Sequence, residues 1–184
     1  MLTTLHSWSI QPTFSLERRE EAKRRIQEIV STRVCLLSLA DCRLSHLPNI
    51  FMHIELHHLT ELNLSYNPLL FIPASIYHLI ELRTIYLSHC DALCDLPYHE
   101  HPWPNLEECH IESCKKLSTR ALPLFAKLPS SCMLFFQDSD LFMNPLHRGV
   151  VVSYGAWSVS ATTHLSIHVL FQHAAIQTLL KELE

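Results

Sequence analysis

Glycine is almost missing from this 184-residue chain, which contains only Gly149 and Gly155. With so few glycines, no phosphate-cradling loop of the P-loop or dinucleotide-binding kind can form. The chain also has no Gly-x-Ser-x-Gly elbow and no His-Glu-x-x-His helix, which removes two common hydrolase signatures. Charge is scarce as well: Asp, Glu, Lys and Arg make up 17% of residues, and none falls between Arg148 and Lys181. The net charge of -4 gives no electrostatic case for a nucleic-acid partner. The first residues, MLTTLHSWSIQPTF, lack the basic stretch and apolar run of a cleavable leader. An odd count of seven cysteines fits a reducing compartment better than a secreted disulfide framework. The uncharged stretch Gly149–Phe171 carries Ser153, Ser158, Ser160, Thr162, Thr163 and Ser166. That is too polar for a bilayer core, which takes about 20 mostly apolar residues, so no membrane span is expected.

What is abundant is apolar, at 48% of residues, and it is periodic. Val34–Cys42 (VCLLSLADC) aligns with Leu59–Asn67 (LTELNLSYN), Leu82–Cys90 (LRTIYLSHC) and Leu106–Cys114 (LEECHIESC). A weaker fifth copy is Pro129–Gln137 (PSSCMLFFQ). The blocks end at 42, 67, 90, 114 and 137, so the repeats are 25, 23, 24 and 23 residues long. Three carry a downstream pair, Leu47-Pro48, Ile72-Pro73 and Leu96-Pro97. The pattern predicts one short parallel strand per repeat, with Leu37/Leu39, Leu62/Leu64, Ile85/Leu87 and Cys109/Ile111 pointing inward. The closing Asn or Cys is expected to bond neighbouring backbone carbonyls, which makes Cys42, Cys90 and Cys114 members of a buried ladder.

An open stack of repeats needs covered ends. Ser15–Val30 (SLERREEAKRRIQEIV) predicts a helix with Ser15 as N-cap and a stripe of Ala22, Ile26, Ile29 and Val30 against the first repeat. Its charged residues read as a solvated face, and the interleaved acids argue against a nucleic-acid role for Arg18-Arg19 or Lys23-Arg24-Arg25. After Gln137 the pattern stops. Val150–Val152 suggests a strand and His164–Glu184 a helix. The fold class is therefore an α/β repeat: a solenoid of about five repeats with a parallel sheet on its concave face. Residues 1–33 hold a capping helix, 34–138 the repeats and 139–184 a C-terminal extension or cap.

Fourteen histidines and seven cysteines invite a metal. His53/His57, Cys90/Cys94, His99/His101 and Cys109/Cys114 have ligand-like spacing, but Cys90, Cys109 and Cys114 already have places in the repeat. Zinc needs four converging ligands, and the one cluster to suspect is Cys90, Cys94, His99 and His101. No metal, no cofactor and no catalysis are expected. With so many candidates, any Cys–His pair is uninformative.

The blocks LTELNLSYNPLLFIPASIYHLIELRTIYLSHCDALCDLP and LEECHIESCKKL resemble the leucine-rich-repeat superfamily over about Val34–Gln137. The charged EEAKRRI helix followed by VCLLSLADCRLSHLP is similar to short leucine-rich-repeat proteins of intracellular bacteria, chlamydia-like or type III effector in type. The later Cys-containing copies are similar to repeats of plant immune receptors. The resemblance implies a cytoplasmic protein, or one secreted without a cleavable signal into a host cell. Its job is to bind a protein partner on the concave face. The alternative is a substrate-recognition part or remnant of a ubiquitin-ligase-type effector. The catalytic Cys-x-Asp of such effectors has no counterpart here, since no cysteine follows Cys132.

Stacked copies place Ser38, Asn63, Tyr86, His110 and Met133 in one column of that face. Ala40, Ser65, Ser88, Glu112 and Phe135 form a second, and Asp41, Tyr66, His89, Ser113 and Phe136 a third. Tyrosine suits a binding face because it joins apolar area to a hydrogen-bonding tip, although aromatics also favour strands for their own sake. The expected partner-binding residues are Asn63, Tyr66, Tyr86, His89, His110 and Glu112.

Overall fold

The computed structural model describes residues 1–10, 17–117, 121–125, 127–129, 131–136 and 169–171. Two helices, α1 (Leu2–Ser9) and α2 (Arg19–Thr32), precede the strands β1 (Leu36–Ser38), β2 (Glu61–Asn63), β3 (Thr84–Tyr86) and β4 (Glu108–His110). A short helix, α3 (Leu122–Phe125), then leads to β5 (Met133–Phe136), and β6 (Val169–Phe171) follows. All six strands form one sheet in chain order. β1 to β5 run parallel, and β6 pairs antiparallel with β5.

The inward positions read from the repeat are the core. Leu37, Leu62, Ile85 and Cys109 are buried, and so are Leu39, Leu64, Leu87 and Ile111. Between strands the chain returns through loops with 3₁₀ turns at Ile54–Leu56 and Ala74–His78. Leu47, Ile72 and Leu96, each followed by proline, are buried as these loops begin. Proline presets an extended backbone (Pro73 has φ -67°, ψ 138°) and directs the apolar residue before it back into the core.

The closing residues form the expected ladder. Asn67 Nδ2 donates to the Leu39 carbonyl, Cys90 Sγ to that of Leu64 and Cys114 Sγ to that of Leu87. Each bond reaches the preceding repeat, so the ladder is a direct consequence of in-register stacking. Cys42, in the first repeat, is buried, and its carbonyl accepts the Arg18 N–H at the start of α2. Burial pushes the thiols of Cys90 and Cys132 up to about 12 and that of Cys114 to about 11, and holds Cys109 well above its ordinary value. Only the thiolate alkylates readily. In the native protein iodoacetamide is therefore expected to modify exposed Cys35 and Cys94 and to spare the five buried cysteines. Intact mass should show two adducts when native and seven in urea. A third adduct on Cys42, Cys90 or Cys114 under native conditions would contradict the ladder.

The N-terminal region departs from expectation in three ways. α2 begins at Arg19, with Arg18 at the N-cap position, and Ser15 lies outside the described residues. Its apolar stripe, Ala22, Ile26 and Ile29, is buried and the helix lies against β1. A further helix, α1, packs on α2 and buries Leu5 and Trp8. The charged face is only partly solvated. Arg19 is buried, donating to the Glu17 carboxylate and the Trp8 carbonyl while its guanidinium lies over the Trp8 ring. Burial raises the Glu17 carboxyl, but hydrogen bonds from Ser45 and Arg19 outweigh it and hold the group below its ordinary value. Arg25 reaches the carbonyls of Ser38 and Ala40. These charges are tolerated inside because each has a partner.

Two corrections fall at the other end. β5 pairs Glu108 with Met133, Cys109 with Leu134 and His110 with Phe135. The fifth repeat is thus two residues out of the register expected from PSSCMLFFQ. Val169–Phe171 is strand where a helix over His164–Glu184 is predicted. Val150–Val152 and the remainder of that helix lie outside the described residues. Among the described residues no helix is long and apolar enough to cross a membrane.

Candidate functional site

The strand residues that do not point inward share the opposite face of the sheet. Strand pairing puts Ser38, Asn63, Tyr86, His110 and Phe135 side by side in one column. Leu36, Glu61, Thr84, Glu108 and Met133 form a neighbouring column that the sequence reading omits. Met133 therefore sits beside Glu108 and not beside His110. Phe135 sits beside His110 and not beside Glu112, and Phe136 leaves the column of Ser113.

Neighbouring strands are about 4.8 Å apart, so flat rings at matched positions stack. Tyr86 and His110 have ring centroids 4.5 Å apart with planes at 23°. His110 and Phe135 lie 4.3 Å apart with planes at 1°. Three rings from β3, β4 and β5 form one continuous stack. His110 is also held edgewise: Nε2 lies 3.2 Å from a Glu108 oxygen and Nδ1 3.3 Å from one of Glu112. The other Glu112 oxygen accepts the Ser88 hydroxyl. Asn63 Oδ1 accepts the backbone N–H of Ser65. Burial, followed by the carboxylates of Glu61, Glu108 and Glu112, raises the Tyr86 phenol above its ordinary value. At neutral pH it is a hydrogen-bond donor inside an acidic surround.

A second pair stands just past the strands. Tyr66 and His89 stack at 4.5 Å with planes at 12°. They are not strand residues: with Asp41 and Ser113 they occupy the left-handed turn that closes each repeat, at φ of 53°, 60°, 59° and 56° in chain order. Glycine ordinarily fills such positions, and each other residue there costs about 1–2 kcal/mol. The turn is held from repeat to repeat, since the N–H groups of Asp41, Tyr66 and His89 donate to the carbonyls of Ser65, Ser88 and Glu112. A repeated, hydrogen-bonded turn thus sets two exposed rings in line.

Of the six expected residues, Tyr86, His110 and Glu112 meet directly, Tyr66 and His89 form the second stack, and Asn63 flanks Tyr86 by strand pairing. Glu61, Glu108 and Phe135 were missed. Glu61 and Glu108 could have been found from the variable position before the central Leu62 and Cys109, which faces the same way as Asn63 and His110.

The metal-like spacings do not converge. Cys94 Sγ donates to the Ala92 carbonyl, and the His99 ring packs on Tyr77 at 4.6 Å. Among the described residues no three His, Cys, Asp or Glu side chains come together as a metal would need.

Residues 32–91 match the model of the leucine rich repeat family. The leucine-rich-repeat domain of the type III effector XopL superposes with a TM-score of 0.54 at 15% identity, over 75% of this chain and 49% of that one. YopM from Yersinia enterocolitica matches at 0.45 and 20% identity, over 74% of this chain and 36% of that one. A Shigella effector leucine-rich-repeat domain gives 0.40 and 16%, over 75% and 84%. The chain spans about a third of the length of YopM and about half of the XopL domain. No curated protein matches it.

Proposed function

We propose that this leucine-rich-repeat solenoid is a non-catalytic module that binds a partner protein on the concave, outward face of its sheet. Asn63, Tyr66, Tyr86, His89, His110 and Glu112 make the contact, joined by Glu108 and Phe135. The observation that carries the reading is the preformed stack of Tyr86, His110 and Phe135. Rings already fixed by their neighbours lose little conformational freedom on binding, so more of the contact energy is realised as affinity. In this reading residues 1–33 cap one end of the repeats at 34–138, and 139–184 extend or cap the other. The protein works in the cytoplasm, or in a host cell into which it is secreted. A substrate-recognition part of a ubiquitin-ligase-type effector would use the same face, and ligase components would then co-purify with it.

The test is capture from host-cell lysate with the native chain beside a Tyr86→Ala/His110→Ala variant, followed by calorimetry on the captured protein. Removing two central aromatic groups is expected to weaken binding by at least about tenfold. Equal affinity for both chains would move the site off this face.

A further inference from the structure

Charge on the outward face is one-sided. The whole chain has 18 acidic and 14 basic residues, yet the four outward positions of the described repeats hold Asp41, Glu61, Glu108 and Glu112 and no lysine or arginine. Arg18 pairs with Asp41 and Arg25 reaches the carbonyls beside it, so the β1 end is compensated. Further along, no lysine or arginine among the described residues pairs with Glu61, Glu108 or Glu112. These three carboxylates lie beside the ring stack: strand pairing sets Glu61 and Glu108 in the neighbouring column, and Glu108 and Glu112 hold His110.

Resting on the reading of this face as a binding surface, we propose that its occupant is a basic segment of a partner protein. The segment lays one or more arginine or lysine stems along the Tyr86–His110–Phe135 rings and brings their charged heads to Glu61 and Glu108. Long basic side chains cover apolar surface with their methylenes and keep the head at a polar group. A ring stack beside carboxylates that face no lysine or arginine offers both, although Glu108 and Glu112 already touch His110. An acidic partner would instead bring its own charge against three carboxylates, and a neutral one would bury them with no lysine or arginine beside them; both outcomes are unfavourable. At the β1 end, Arg18 and Arg25 set the limit of the basic stretch and fix its direction along the sheet.

The probe is fluorescein-labelled octa-arginine, with octa-glutamate as comparison, titrated by anisotropy against the full chain. Octa-arginine is expected to bind, more weakly as salt is raised, and octa-glutamate not to bind. Glu61→Gln/Glu108→Gln should reduce octa-arginine affinity by about tenfold. Glu55→Gln/Glu100→Gln removes the same charge from exposed residues outside the face and should change it by less than about twofold. Equal losses in the two variants, or no loss in the first, would overturn the basic occupant. If Tyr86→Ala/His110→Ala still abolished capture of the native partner, the face would stand and only the chemistry of its occupant would fall. If that variant changed nothing either, the binding face itself would be wrong.

Discussion

Replacing Asn67 with alanine is expected to lower the unfolding free energy by about 3 kcal/mol, because one side chain serves four buried groups. Its Oδ1 accepts the Leu44 N–H, and its Nδ2 donates to the carbonyls of Leu39, Leu64 and Ser65. Leu64 and Ser65 keep second partners in Cys90 Sγ and the Asp41 N–H. The Leu44 N–H loses the acceptor that the side chain supplied. The neighbouring repeats show what a thiol does at this position: it donates to the carbonyl of the previous repeat and takes the N–H of the preceding ladder residue. Asn67→Cys should therefore restore the bond to Leu39 and still leave Leu44 N–H unmet, at about half the cost of alanine. Urea midpoints of the three proteins would read the order Asn, Cys, Ala. If cysteine proved as stable as asparagine, the Leu44 contact would contribute nothing. If alanine did too, the ladder would not be a source of stability.

How far the sequence speaks for the structure depends on which physical signal each residue carries. Strands β1 to β4 are legible in register, since Leu37/Leu39, Leu62/Leu64, Ile85/Leu87 and Cys109/Ile111 alternate with polar residues and are spaced by one repeat. The fifth strand is misread by two residues for a reason specific to sheets. A slip of one would turn every apolar side chain outward, but a slip of two preserves the alternation. In PSSCMLFFQ, Cys132/Leu134 and Leu134/Phe136 are equally good inward pairs, and repeat lengths of 23 and 25 are both acceptable. The error moved Phe135 out of the column of His110 and so concealed the third ring of the stack. The turn at Tyr66 and His89 is hidden differently. Nothing about tyrosine or histidine announces a left-handed backbone, which here comes from hydrogen bonds between repeats. α1 was missed because LTTLHSWS has only Leu5 and Trp8 to mark a buried side, too short a stripe for periodicity to register. The burial of the Glu17–Arg19 pair is not legible in the sequence because its partners, Ser45 and the Trp8 carbonyl, are distant along the chain. The outward acids were legible as residues but not as a group. Only strand pairing brings Glu61, Glu108 and Glu112 around the same rings.

The second large effect expected is at the helical end of the stack. Ile26 is fully buried in α2, on the side that lies against β1. Ile26→Asp would put a carboxylate inside the apolar core to which α1, α2 and the first repeat all contribute, at a cost of about 4 kcal/mol or more. Gln27→Asp, one residue on and exposed, should change stability by less than about 0.5 kcal/mol. Repeat stacks are stabilised by neighbour contacts, so a fault at one end can either fray locally or unfold the whole. Hydrogen exchange separates the two. α1, α2 and the first repeat belong to one continuous core with the later repeats. Ile26→Asp is therefore expected to accelerate exchange in β1 through β4 together and to shift the urea midpoint with the same cooperativity. Fast exchange confined to α1, α2 and β1, with β3 and β4 still protected, would make the helices a separable cover over an independently stable stack. An unchanged midpoint would remove α2 from the folded unit altogether, and with it the proposal that residues 1–33 are the cap.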